Sequence, residues 1–266
     1  MFVNNTLIFT REKRAQKSNQ TVIIVHGIAE HSGRYEEMMT YLELHHISTF
    51  AFDLRGHGQS AGKRGKLSHF KLILEDLHGL VNHVKKTYPN DQIFLLGHSL
   101  GGLITHMYAV TYQDVAGIIT SGAPTHFLKD VLPLRILGPK LLSWYSVKTN
   151  FADDKLSRIP SVEKAYINDP LNLKKMYGSL IGQMMVSGVR YLKKHASKHK
   201  VPTLILHGED DKIVPKNMSQ SWFETIPSED KTMIIYPNAY HEIFNDLDKE
   251  TCFTDVVQWI HKRKRS

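Results

Sequence analysis

The 266-residue sequence holds one cysteine, Cys252, so it offers no internal disulfide and suits a reducing compartment. No apolar run approaches the roughly 20 residues that a membrane-spanning helix needs. The opening residues, Met1-Phe2-Val3-Asn4-Asn5-Thr6, lack the basic-then-apolar pattern of a secretory leader, and a cytoplasmic setting is expected. There is no Cys/His set at metal-ligand spacing, no dinucleotide fingerprint, no internal repeat and no low-complexity segment. The sequence therefore predicts neither a metal nor an organic cofactor.

What is present is the composition of an ordinary globular protein, 41% hydrophobic and 23% charged, long enough for one large domain with an insertion. The formal charge of +8 is concentrated at Lys193, Lys194, Lys198, Lys200 and in the tail from His261 to Arg265. No aromatic stacking platform or nucleic-acid motif accompanies these residues, so nucleic acid is not an expected partner. A solvated basic surface, with some attraction to anionic lipid headgroups, is the expectation.

Apolar runs at 21–25, 47–52, 92–96, 115–121, 201–208 and 232–236 read as buried strands, with a weaker opening strand at 7–10 and a polar turn after it. Between them lie helical patterns. Ser32 is expected to cap a helix with Tyr35, Met38, Met39 and Leu42 on its inner face. Ser68 opens a longer one, where Phe70, Ile73, Leu74, Leu77, Leu80, Val81 and Val84 keep three-four spacing and Pro89 closes the segment. Phe253, Val256, Val257 and Ile260 mark a final helix. This alternation predicts an α/β fold with a mostly parallel, doubly wound sheet. It lapses between 125 and 200, where Pro133, Pro139, Pro160 and Pro170 are expected to interrupt helices. The core is thus assigned to 1–124 and 201–266, and a helical cap to 125–200.

Strand, then Gly97-His98-Ser99-Leu100-Gly101-Gly102, then a helix is the setting of a nucleophile elbow, with Ser99 held in a strained turn above the sheet edge. A serine hydroxyl needs a base and a group that orients it. In such sheets the site lies outside the carboxyl ends of the strands, and the acid and base follow the nucleophile along the chain. The loop after 204–208 offers Glu209, Asp210 and Asp211. The loop after the last strand offers His241, whereas His207 precedes its loop and His261 lies in the tail.

With these residues on the page, the chain resembles the monoacylglycerol lipase and lysophospholipase-like branch of the α/β-hydrolases. The matching stretches begin with His26-Gly27-Ile28-Ala29-Glu30-His31-Ser32-Gly33-Arg34-Tyr35 and Asp53-Leu54-Arg55-Gly56-His57-Gly58, then the Ser99 elbow. Ala165-Tyr166-Ile167-Asn168-Asp169-Pro170-Leu171, Gly208-Glu209-Asp210-Asp211 and Ala239-Tyr240-His241 complete the set. The resemblance implies an α/β-hydrolase fold with a lid, a catalytic set of Ser99, Asp211 and His241, and an oxyanion hole from the backbone N–H groups of Ile28 and Leu100. It also implies headgroup contacts from Glu30, Arg34, His98 and Tyr166, with Asp53, Arg55 and His57 as scaffold. Arg34 and Glu30 can alternatively form a structural ion pair behind the site. Phe244 stands where the mammalian form has a histidine.

Residues 131–145 are the most lipid-compatible stretch, with apolar side chains interleaved among Lys129, Arg135, Lys140 and Lys148; such an element can rest in a membrane interface or line a tunnel. Residues 177–186 read as a flexible apolar segment suited to an acyl chain. The implied activity is hydrolysis of monoacylglycerols through an acyl-enzyme, with a small lipid ester as partner and peripheral membrane contact through the lid. The alternatives are a lysophospholipase or broad carboxylesterase, a non-catalytic ligand binder of this fold, and a serine aminopeptidase, for which the cap shows no acidic cluster. The sequence specifies neither acyl-chain length nor oligomeric state.

Overall fold

The computed structural model describes residues 1–138, 140–149 and 151–264. The chain opens with β1 (Phe2–Val3) and β2 (Thr6–Leu7), an antiparallel hairpin turned by Asn4 and Asn5 at positive φ. Strand β3 (Thr10–Lys13) follows, so the expected strand at 7–10 is split and the expected polar turn is partly a strand. Residues 7–9 bond instead to Met1, to the loop beyond the fifth strand and to the Ser60 hydroxyl. β3 tolerates its polar sequence because it lies at the sheet edge.

The remaining elements run β4 (Gln20–Val25), α1 (Glu36–Leu44), β5 (Ser48–Phe52), α2 (Lys71–Thr87), β6 (Gln92–His98), α3 (Leu100–Thr111) and β7 (Gly117–Ser121). Next come α4 (Leu132–Leu137), β8 (Ser146–Lys148), α5 (Pro160–Asn168), β9 (Lys175–Tyr177), α6 (Gly178–Ile181), a π-helical stretch over Gly182–Gly188, and α7 (Val189–Lys194). The chain closes with β10 (Thr203–Gly208), α8 (Asn217–Thr225), β11 (Lys231–Tyr236) and α9 (Lys249–His261). The sheet order is β11-β10-β7-β6-β4-β5-β3, parallel throughout except for β3 against β5. Strands β4 to β7 and β10 are buried on both faces, which is why their sequences are continuous rather than alternating apolar runs. One apolar layer joins α2, α3 and the segment after β7 to the sheet; α1 and α9 cover the other face.

Two helix starts differ from expectation. The Ser32 hydroxyl bonds Asp53 Oδ1 at 2.6 Å instead of capping a helix, and a 3-10 turn over Ser32–Tyr35 leads into α1. Helix α2 begins at Lys71, three residues past Ser68, although all seven expected apolar positions are buried.

Between β7 and β10 none of the described elements joins the large sheet; β8 and β9 pair only with each other. Pro133 and Pro160 open α4 and α5 rather than interrupting them, since a fixed φ and a missing N–H suit a first helical turn. Pro139 lies outside the described residues. The stretch expected to be flexible is part of an unbroken helical run from Gly178 to Lys194, and Met184 in it is fully buried. Among the described residues no helix is long and apolar enough to cross a membrane.

Candidate active site

Strand β6 is the central rail of the site. It ends at His98, and Ser99 turns the chain into α3 with φ 52° and ψ −117°, a conformation L-residues rarely adopt. Its N–H is held by the Ser121 carbonyl at 2.7 Å. The turn closes only because Gly97 and Gly101 lack side chains: a Cβ on Gly101 would overlap the Val25 carbonyl, and one on Gly97 the Gly101 carbonyl. Residues Leu100 to Val110 of α3 are all buried, so the helix fixes the elbow from every side.

Asp211 follows β10 and its side chain is fully buried. Its Oδ1 accepts the N–H groups of Ile213 and Val214, each at 2.8 Å. Its Oδ2 meets His241 Nδ1 at 2.7 Å and His207 Nε2 at 3.2 Å. His207 is itself fixed by the Val214 carbonyl and the Ser219 hydroxyl, so it braces the carboxylate from behind. Burial pushes the Asp211 carboxyl up, but the charges and hydrogen bonds of His241 and His207 outweigh it and hold the group far below the usual range. For His241, burial disfavours the cation, yet the Asp211 carboxylate wins and the imidazole sits above its ordinary 6.5. Gly122, at φ +56°, lets the chain pass under this pair, because a Cβ there would lie 3.0 Å from His241 Cε1.

Ser99 and His241 line one cavity of about 400 Å³, within the usual ~300–1,000 Å³ of small-ligand sites. Its long wall is apolar, including Leu134, Leu142, Val147, Phe151, Met185 and Val214. Ile28 lies on its wall, and Leu100 is the first residue of α3, where helix geometry leaves backbone N–H groups without a partner in the helix. The polar end carries Glu30, His98, Tyr166 and Glu242.

Of the four residues assigned to the headgroup, Glu30, His98 and Tyr166 reach the wall. Arg34 does not. It grips both oxygens of Glu242 at 2.6 and 2.7 Å and Glu30 Oε2 at 2.8 Å, as the structural ion pair the sequence allowed. Burial raises the Glu30 carboxyl, but Arg34, His98 and His26 with the Tyr35 hydrogen bond pull it down to about 2. His98 is lowered to about 4, by burial first and the neighbouring His241 second, so it is neutral near neutral pH. The Tyr166 hydroxyl is buried and has no hydrogen-bond partner among the described residues. Phe244 packs edge-on to the His98 ring and is not on the cavity wall. Asp53 acts as scaffold, accepting from Ser32 and Gln59.

Sequence reasoning missed Glu242, because its partner Arg34 is 208 residues away. The one available signal was its place directly after His241. Among the described residues no cluster of His, Cys, Asp and Glu could hold a metal ion.

The serine aminopeptidase S33 family profile matches residues 16–248. The monoacylglycerol lipase of Mycolicibacterium smegmatis is 30% identical over 243 residues, 90% of this chain and 87% of that protein. Human monoglyceride lipase is 30% identical over 249 residues, 91% of this chain and 82% of that one. The crystal structure of the Paleococcus ferrophilus monoacylglycerol lipase superposes with a TM-score of 0.85 at 31% identity, covering 97% of this chain and 99% of that one. The chain therefore belongs to the serine aminopeptidase S33 family of α/β-hydrolases, and within it is similar to monoacylglycerol lipases along nearly its whole length.

Proposed function

We propose that this protein is a serine ester hydrolase that cleaves monoacylglycerols to fatty acid and glycerol. Ser99 Oγ attacks the ester carbonyl carbon while His241 Nε2 takes its proton. Asp211, kept ionised, holds the imidazole in the tautomer that accepts at Nε2 and stabilises the imidazolium that forms. The oxygen that becomes negative is received by the backbone N–H groups of Ile28 and Leu100, each worth about 3 kcal/mol of transition-state stabilisation. Collapse expels glycerol, protonated by His241; water then attacks the acyl-enzyme with the same base and releases the fatty acid.

The observation that carries this reading is the make-up of the cavity: a long apolar wall for one acyl chain, and a polar end where the Arg34 guanidinium is already committed to Glu30 and Glu242. Arg34 between Glu30 and Glu242 leaves that end with one net negative charge. A phosphate headgroup beside Glu30 and Glu242 would face two carboxylates whose guanidinium partner is already committed, which favours glycerol at that end; Lys148 and Asp130 are the other charged residues on the cavity wall. Similarity to monoacylglycerol lipases supports the same reading.

Residues 125–200 serve in this account as a lid. Leu134 is buried on the cavity wall, whereas Leu132, Ile136, Leu137, Leu141 and Trp144 are exposed beside Arg135 and Lys140. One side of the lid lines the acyl site, and the other suits peripheral contact with a membrane interface. The test is a hydrolysis panel of monoacylglycerol, lysophosphatidylcholine and a short soluble ester, with Ser99→Ala as control. Preferential turnover of monoacylglycerol, abolished in the variant, is expected. Equal rates on short esters with neither lipid cleaved would reject the lipid assignment.

A further inference from the structure

A second cavity, of about 480 Å³, lies on the other side of the lid wall. The turn over 142–145 separates the two cavities: Leu142 and Tyr145 line the acyl site, Ser143 and Trp144 the second cavity. Its chemistry is opposite to that of the first. Arg55, Lys63 and Lys66 line it, and no carboxylate does. Arg55 is neutralised by Asp76, with two bonds of 2.6 Å. Among the described residues Lys63 and Lys66 form no ion pair; Lys66 rests only over the Tyr177 ring. Two positive charges are therefore left uncompensated at one concavity. Two ammonium groups free of any carboxylate at one concavity favour an anion there.

We propose that this cavity binds a phosphate group. Two uncompensated charges match the roughly −1.5 to −2 of a phosphate monoester near neutral pH better than the single charge of a carboxylate. Lys63 and Lys66 supply charge, and the exposed Trp144 indole walls the site. The phosphate is either free in solution or the headgroup of an anionic lipid at the surface that the exposed lid leucines would meet. This assignment does not depend on which ester Ser99 cleaves.

Trp222 and Trp259 are buried and Trp144 is exposed, so Trp144 fluorescence reports on the site. Inorganic phosphate is titrated against chloride at equal ionic strength. In parallel, phosphatidylcholine vesicles carrying phosphatidic acid are compared with vesicles carrying the same mole fraction of oleate. Each arm uses the wild type, Lys63→Ala/Lys66→Ala, and the charge-matched control Lys198→Ala/Lys200→Ala. Binding weakened about tenfold or more by the Lys63/Lys66 pair, and unchanged by the control pair, supports the site. If it appears with inorganic phosphate, the ligand is free phosphate; if only with phosphatidic acid, it is a lipid headgroup. Lys63 and Lys66 are exposed, so the folded state should survive, and unchanged thermal midpoints will verify this. Equal losses from both lysine pairs, or no saturable binding in either arm, would overturn the proposal.

Discussion

Replacing Arg34 with methionine keeps most of the side chain's volume and removes its charge. In the wild type Arg34 and its two acidic partners are nearly sealed from water, with side-chain exposures of 10% for Arg34 and 4% for each glutamate. Breaking a buried ion pair costs about 3–5 kcal/mol. Here two carboxylates lose their counter-ion at once and also repel each other, so the upper half of that range is expected. At roughly 2–4 °C per kcal/mol for a chain of this size, the thermal midpoint should fall by about 8–20 °C near pH 7. The pH dependence identifies the cause. In the wild type the Glu30 carboxyl lies at about 2 against an ordinary 4.5, so its contribution is present above 4.5 and is lost only as pH falls through 2. Without Arg34 burial dominates and raises the folded value above 4.5. The variant is then penalised at high pH and relieved as acid protonates the stranded carboxylate, so the gap to wild type should narrow on going from about pH 7 to below 4.5. Adding Glu242→Gln should recover part of the loss at neutral pH. A gap under about 1 kcal/mol, or one constant with pH, would refute the electrostatic reasoning.

Two further expectations follow from the site and its cover. The acid limb of kcat/KM reports the deprotonation of His241, which the Asp211 carboxylate holds above 6.5; its midpoint should lie above that value. Asp211→Asn leaves burial to dominate, so the limb should move acidward while kcat falls by roughly 10⁴, and an unmoved limb would separate Asp211 from the base. On the lid, Ile136→Ser/Leu141→Ser/Trp144→Ser removes exposed apolar surface, so vesicle association measured by co-sedimentation should drop while turnover of a soluble ester stays within about twofold. Equal loss of both would mean these residues shape the acyl site instead.

The parallel strands were legible because burial on both faces writes a continuous apolar run, and α2 and α9 because one buried face writes a three-four spacing. Ser99, Asp211 and His241 were locatable because each follows a strand at the same sheet edge. Features resting on distant or polar pairing were not. β3 reads Thr-Arg-Glu-Lys because an edge strand need not be apolar, and β8 and β9, separated by 26 residues and bearing lysines, carry no alternation to mark them. The Ser32 hydroxyl obeyed Asp53, 21 residues away, over the local helix start. Glu242 illustrates the same limit within the site. Its identity is visible in the sequence, but its bond to Arg34 exists only after β4 and β11 are brought into one sheet.

The central claim is a covalent acyl intermediate on one oxygen. Acid-quenching the protein during turnover of a monoacylglycerol, followed by peptide mass mapping, should place the acyl mass on the peptide containing Ser99. It should be absent in Ser99→Ala and strongly reduced in His241→Ala. Acyl mass on a different residue, or undiminished hydrolysis by Ser99→Ala, would contradict the account.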